Sequence, residues 1–152
     1  MKILSLILLC FFGWFTTIPF NKVDATVQHF NGGQRKSGKT IDYQIKLVAH
    51  KPSSKITFTN MYIGSEPVEF KVFKLTDDKQ VSMTYQKGDT VFISASMRYR
   101  PNENDVLELV NNGLPKTVVE YEGEAILKYT FKNKKYELII ENFKKMPTVN
   151  YP

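Results

Sequence analysis

The sequence predicts an all-β fold: a single small antiparallel β-sandwich, Ig-like or related, that follows an N-terminal signal peptide. Three observations predict it. The longest apolar stretches alternate with a strict period of two, turn-forming clusters recur between them, and the one uncharged apolar run is confined to the start of the chain.

The chain opens "MKILSLILLCFFGWF", with Lys2 ahead of an uncharged run from Ile3 to Phe15. A more polar stretch then ends in "NKVDA", where Val23 and Ala25 occupy the small-residue positions that a signal peptidase reads. This order of regions predicts a signal peptide over 1–25, cut after Ala25. The rival is a retained membrane anchor, because no charge occurs between Lys2 and Lys22. Pro19 and the Val-x-Ala site favour cleavage. Leu9 stands where lipid attachment at Cys10 would want a small residue, so a lipid anchor is not expected.

The expected mature domain, 26–152, carries a formal charge of +5. That is one less than the +6 of the whole chain, since 1–25 holds two lysines and one aspartate. Its length suits one domain with a modest core. Cys10 is the only cysteine and leaves with the leader, so neither disulfides nor thiol chemistry are expected. No later stretch is apolar for long enough to span a bilayer as a helix.

In "TIDYQIKLVA", Ile41, Tyr43, Ile45, Leu47 and Ala49 share one face and Thr40, Asp42, Gln44 and Lys46 the other. "TVFISASMRY" repeats the pattern with Val91, Ile93, Ala95, Met97 and Tyr99. Both read as half-buried strands. "KITFTNMYI", "PVEFKVFKL", "QVSMTY" and "KTVVEY" are shorter candidates. "EAILKYTF" and "KYELIIENF" flank "KNKK" and predict a β-hairpin, with Asn133 tolerating the positive φ of a tight turn. One stretch departs from alternation: "NDVLELVNNG" reads either as a short helix capped by Asn104 or Asp105 and stopped by Gly113, or as a loop excursion.

"GQRKSGKT", Gly33 to Thr40, matches a phosphate-binding loop letter for letter. That loop works because a helix follows it and presents its positive N-terminus to phosphate. Here Thr40 to Ala49 alternate as a strand, and Pro52 would end any helix early. No nucleotide and no cofactor are therefore expected. The loop reads instead as a flexible basic turn, and Arg35, Lys36 and Lys39 are the residues expected to meet an anionic partner.

Other chemistry has weaker support. His29 and His50 lack metal-ligand spacing, and no nucleophile elbow occurs. The acidic pairs Asp77 with Asp78, Glu103 with Asp105, and Glu120 with Glu122 are candidates for hydrolysis only if a cleft brings two together. "PNEND" has oxygen ligands without the order of an EF-hand. The lysines are spread rather than clustered, so nucleic acid is not the expected partner. Trp14, the only tryptophan, departs with the leader, which weakens a sugar-stacking reading.

The stretches "QHFNGGQRKSGKTIDYQIKL" and "EAILKYTFKNKKYELIIENFKKMPTVNYP" resemble small secreted proteins of flavobacteria and their relatives. In those proteins a signal peptide precedes a strand, a Gly/Arg-rich turn and a long alternating strand. A hairpin and a terminal Tyr-Pro close the chain. Asn133-Lys134 departs from the glycine such a hairpin turn carries. The resemblance implies an all-β domain outside the inner membrane and no particular activity. The expectation is a secreted or periplasmic, non-enzymatic binding or accessory protein of the cell envelope, with an anionic envelope component or a protein as partner. The alternatives are a small hydrolase using Asp or Glu, and an adhesive subunit that pairs through edge strands.

Overall fold

The computed structural model describes residues 18–33 and 38–152. The chain folds as two β-sheets packed face to face. The larger sheet is built on β1 (Phe20–Asn31), β2 (Lys39–Ala49) and β7 (Thr90–Pro101). These three strands pair antiparallel in that order, and β5 (Phe70–Leu75) and β6 (Val81–Ser82) extend the sheet beyond β7. The smaller sheet runs β10 (Lys134–Ile140), β9 (Ala125–Phe131), β3 (Ile56–Ile63) and β4 (Glu66–Val68). Among the described residues the one helical element is a single 3-10 turn, Ser53–Lys55, and no helix is long and apolar enough to cross a membrane.

The alternating residues become the core. Ile45, Leu47, Ala49, Val91 and Ile93 on the large sheet are fully buried, as are Ala125, Leu127 and Ile140 on the small one. At ~25 cal/mol per Å² of apolar surface, each buried Ile or Leu contributes about 1.5–3 kcal/mol. Aromatic rings tie the layers together: Phe20 lies 5.8 Å from Tyr129, edge to face, and Phe58 lies 6.5 Å from Phe70.

The β9–β10 hairpin forms as expected. Phe131 pairs with Lys134, and Lys132 and Asn133 between them have φ of 51° and 59°. Two successive left-handed residues define a type I′ turn, whose twist matches that of the strands. Asn133 supplies one of them without glycine.

Other segments differ from expectation. "NDVLELVNNG" contains a strand, β8 (Leu107–Leu109), which pairs with Tyr99–Pro101 of β7. Leu109 is half-buried against the core, and this tertiary contact outweighs local helix propensity. "PVEFKVFKL" is two strands in different sheets, β4 and β5, with Glu69 at the crossing. "KTVVEY" forms no strand, and Val118 within it is 91% exposed. "QVSMTY" keeps only the two residues of β6.

The chain's last residues close the outer edge of β1. β11 (Lys144–Lys145) and β12 (Val149–Asn150) both pair with β1 in parallel, and Phe30 stacks on Tyr151 at 6.2 Å. At the far side of the smaller sheet, β10 is an edge strand that exposes Lys134, Lys135 and Glu137. Such charges blunt strand addition by another chain.

Candidate functional site: a polar groove beside a basic end

The glycine-rich turn sits between β1 and β2. The Gly32 N–H donates to the Gly38 carbonyl at 3.1 Å, closing the loop at its base. Arg35 and Lys36 fall within 34–37, outside the described residues. Lys39 is the first residue of β2, paired with Asn31 and Tyr99. Because Lys39 and Thr40 open a strand, no helix N-terminus stands behind the loop to receive phosphate. Its glycines answer to the chain's own packing. A Cβ on Gly33 would overlap the backbone of Tyr151 and Pro152, and one on Gly38, at φ +74°, would overlap the Tyr99 carbonyl.

This end of the large sheet is basic. Burial lowers the pKa of His29, and the positive charges of Lys39 and Lys145 lower it further. Arg98 lies opposite Thr40, the residue after Lys39, and the Gly38 backbone packs against Arg100. Lys39 thus lies near His29 and Lys145, which are distant in sequence, while Arg98, level with Thr40, belongs to the opposite face of the sheet.

Arg98 also lines a hollow at the edge of β7. β5 pairs with Phe92–Ala95 of β7, whereas β8 pairs with Tyr99–Pro101 along the same edge. Between them β7 is left with a notch. β5 arrives there from the other sheet through Glu69, and β8 departs into an irregular segment after the Val110 N–H donates to the Arg98 carbonyl at 2.8 Å. The resulting groove encloses about 500 Å³. Its buried lining is Pro67, Val68, Ala95 and Met97, with Phe70 and Leu109 half-buried. Its exposed rim carries Glu69, Lys71, Ser96, Arg98, Asn111 and Asn112.

A second hollow of about 390 Å³ shares Pro67–Phe70 and continues along Met61, Tyr62 and Leu114. An apolar floor with a few polar groups on the rim is the usual form of a ligand cleft. The rim is pre-ordered. The Asn112 Nδ2 donates to the Pro67 carbonyl at 2.8 Å, pinning the irregular segment to β4. The Ser96 hydroxyl donates to Asp42 Oδ1 at 2.7 Å. Among the described residues, neither Lys71 nor Arg98 is in an ion pair.

The remaining candidates stand apart. His29 pairs with Ile41 and His50 follows Ala49, so they occupy opposite ends of β2. At ~3.3 Å per residue this is a span of roughly 30 Å, too far for one metal. Asp77 and Asp78 lie in the β5–β6 turn, near the start of β7, whereas Glu103 and Asp105 lie in the β7–β8 turn at its other end. Glu120 and Glu122 lie in the irregular segment ahead of β9. No group of three or more His, Cys, Asp or Glu able to hold a metal occurs among the described residues. Ala25, the expected cleavage position, lies within β1 opposite Ile45 and is 6% exposed.

Sequence reasoning missed the groove because its two walls come from residues 67–71 and 109–112 and its floor from 94–98. Compared with known protein families, curated proteins and solved structures, the chain matches none.

Proposed function

We propose that the protein is an exported, non-enzymatic binding domain whose groove receives an anionic component of the cell envelope. The observation that carries this reading is the pairing of Lys71 and Arg98 on the rim, both free of carboxylate partners among the described residues. Hydroxyl and amide groups of Ser96, Asn111 and Asn112 stand beside them above an apolar floor. Lys39 adds positive charge at the same end of the sheet, from its opposite face, and Arg35 and Lys36 belong to the sequence just before it. Glu69 is the one carboxylate on the groove's lining, whereas acid–base hydrolysis of a glycosidic bond calls for two. Export is supported by Lys2, the apolar run after it and the small residues that follow.

Co-sedimentation of the purified protein with washed envelope fragments tests this. The wild type should pellet at about 0.05 M salt and be released at about 0.5 M, as expected for exposed charges. A Lys71→Ala/Arg98→Ala variant should bind about tenfold more weakly, the loss of two partly exposed ionic contacts at ~0.5–1 kcal/mol each. Equal binding by wild type and variant would remove the groove from consideration.

A further inference from the structure

Strand β1 begins at Phe20, ahead of the cleavage position that the sequence suggests, and its first half is built into the domain. Pro19 is less than 2% exposed, and its carbonyl accepts a hydrogen bond from the His50 N–H at 2.8 Å. Phe20 is 3% exposed. Its ring sits 5.4 Å from Phe58, 5.8 Å from Tyr129 and 6.2 Å from Tyr85, so this one side chain from the large sheet bridges to the small one. Phe20 pairs with Ala49, Asn21 with Val48 and Lys22 with Leu47; after a bulge, Asp24 pairs with Lys46 and Ala25 with Ile45.

The Val-x-Ala pattern has a structural cause in this setting. Val23 is the extra residue of the bulge and is 53% exposed. Ala25 faces the core, where its strand neighbour Ile45 is fully buried. A small residue is needed there whether or not a peptidase reads it. Removal of everything up to Ala25 would strip the Ile45–Ala49 stretch of β2 of its partner on that side, and it would withdraw the ring that Phe58, Tyr85 and Tyr129 surround. An unpaired stretch of strand over an opened core is a template for aggregation.

We propose that the leader is cut on the N-terminal side of Pro19, and that Pro19–Ala25 stay in the exported protein as the first half of β1. This rests on the export reading above. The test is to express the full chain in an exporting bacterial host and measure the intact mass and first residue of the exported product, for the wild type and for Phe20→Ala. The expected product retains Phe20, and the variant's melting temperature falls by roughly 10–20 °C, as for loss of a core aromatic ring in a domain of this size. A product beginning at Thr26, with Phe20→Ala leaving its melting temperature unchanged, overturns the proposal and leaves export intact. A product still carrying Met1 overturns the cut, and one that is also confined to the cytoplasm overturns export as well. Where the Phe20→Ala protein fails to accumulate, the first residue of the wild-type product decides alone.

Discussion

Replacing Tyr85 with Phe should make the protein more stable, an unusual result for a change in a core. Tyr85 is 2% exposed, and among the described residues no hydrogen-bond partner reaches its hydroxyl. A buried hydroxyl without a partner costs about 1–3 kcal/mol of desolvation. Tyr85→Phe removes that cost and leaves a void of one oxygen atom, so the net gain should be about 1 kcal/mol. In a domain of this size that raises the melting temperature by roughly 3–5 °C.

The same burial pushes the Tyr85 pKa from 10.0 up to about 12. The charged form is the one the fold disfavours, so the unfolded chain gives up this proton first. Stability from this group is therefore intact below pH 10 and is lost as pH climbs from 10 through about 12. At 1.36 kcal/mol per pH unit the loss approaches ~3 kcal/mol. Urea unfolding of wild type and Tyr85→Phe at pH 7, and then at intervals up to pH 12, measures both effects. The gap between the two proteins should widen in favour of Phe above pH 10. A variant less stable than wild type by 1 kcal/mol or more at pH 7, with a gap that stays constant to pH 12, would refute the reasoning by showing the hydroxyl to be satisfied.

Two further perturbations probe other parts of the fold. Asp89 accepts the Gln86 N–H at 2.7 Å and pairs with Lys74 at 2.7 Å, and these contacts, the backbone one first, hold its pKa below 3.8. Its contribution is therefore present above that value and lost as pH falls through the folded pKa. Asp89→Asn should lower stability by about 1 kcal/mol at pH 7, and denaturant unfolding should show the difference from wild type shrinking below pH 4. Gly33→Ala drives a methyl group into the Tyr151–Pro152 backbone, so the tail should lift from β1. The expected cost is about 1 kcal/mol, from the Phe30–Tyr151 stack and the β12 pairing, together with faster carboxypeptidase trimming that stops short of β11.

The parts of the fold legible in the sequence are those where burial alternates on a single strand. Ile41 through Ala49, Val91 through Tyr99 and the β9–β10 hairpin all show their inner face as a run of odd-numbered or even-numbered apolar residues, because each has one side on the core and the other largely polar, Ile126 of β9 being a buried exception. Segments whose surroundings change along their length were not legible. Glu69 marks where one apolar run leaves the small sheet for the large one, and nothing in "PVEFKVFKL" itself distinguishes the halves. Leu107–Leu109 form a strand only because Tyr99–Pro101 offer an open edge. The basic turn was legible as a turn, but the reason for its glycines was not. For Gly33 that reason lies in the packing of Tyr151 and Pro152, more than a hundred positions downstream, and for Gly38 in the Tyr99 carbonyl on β7.

The parallel seating of Lys144–Lys145 and Val149–Asn150 along β1 joins the first strand to the final residues of the chain. Those partners lie more than a hundred positions from the strand they cover, so the outer rim of the sandwich is sealed by contacts of high sequence separation. Pairings between such distant segments form slowly, since a very long loop must close first. The outer rim of the sandwich is therefore expected to set after the hairpins and neighbouring strands have formed.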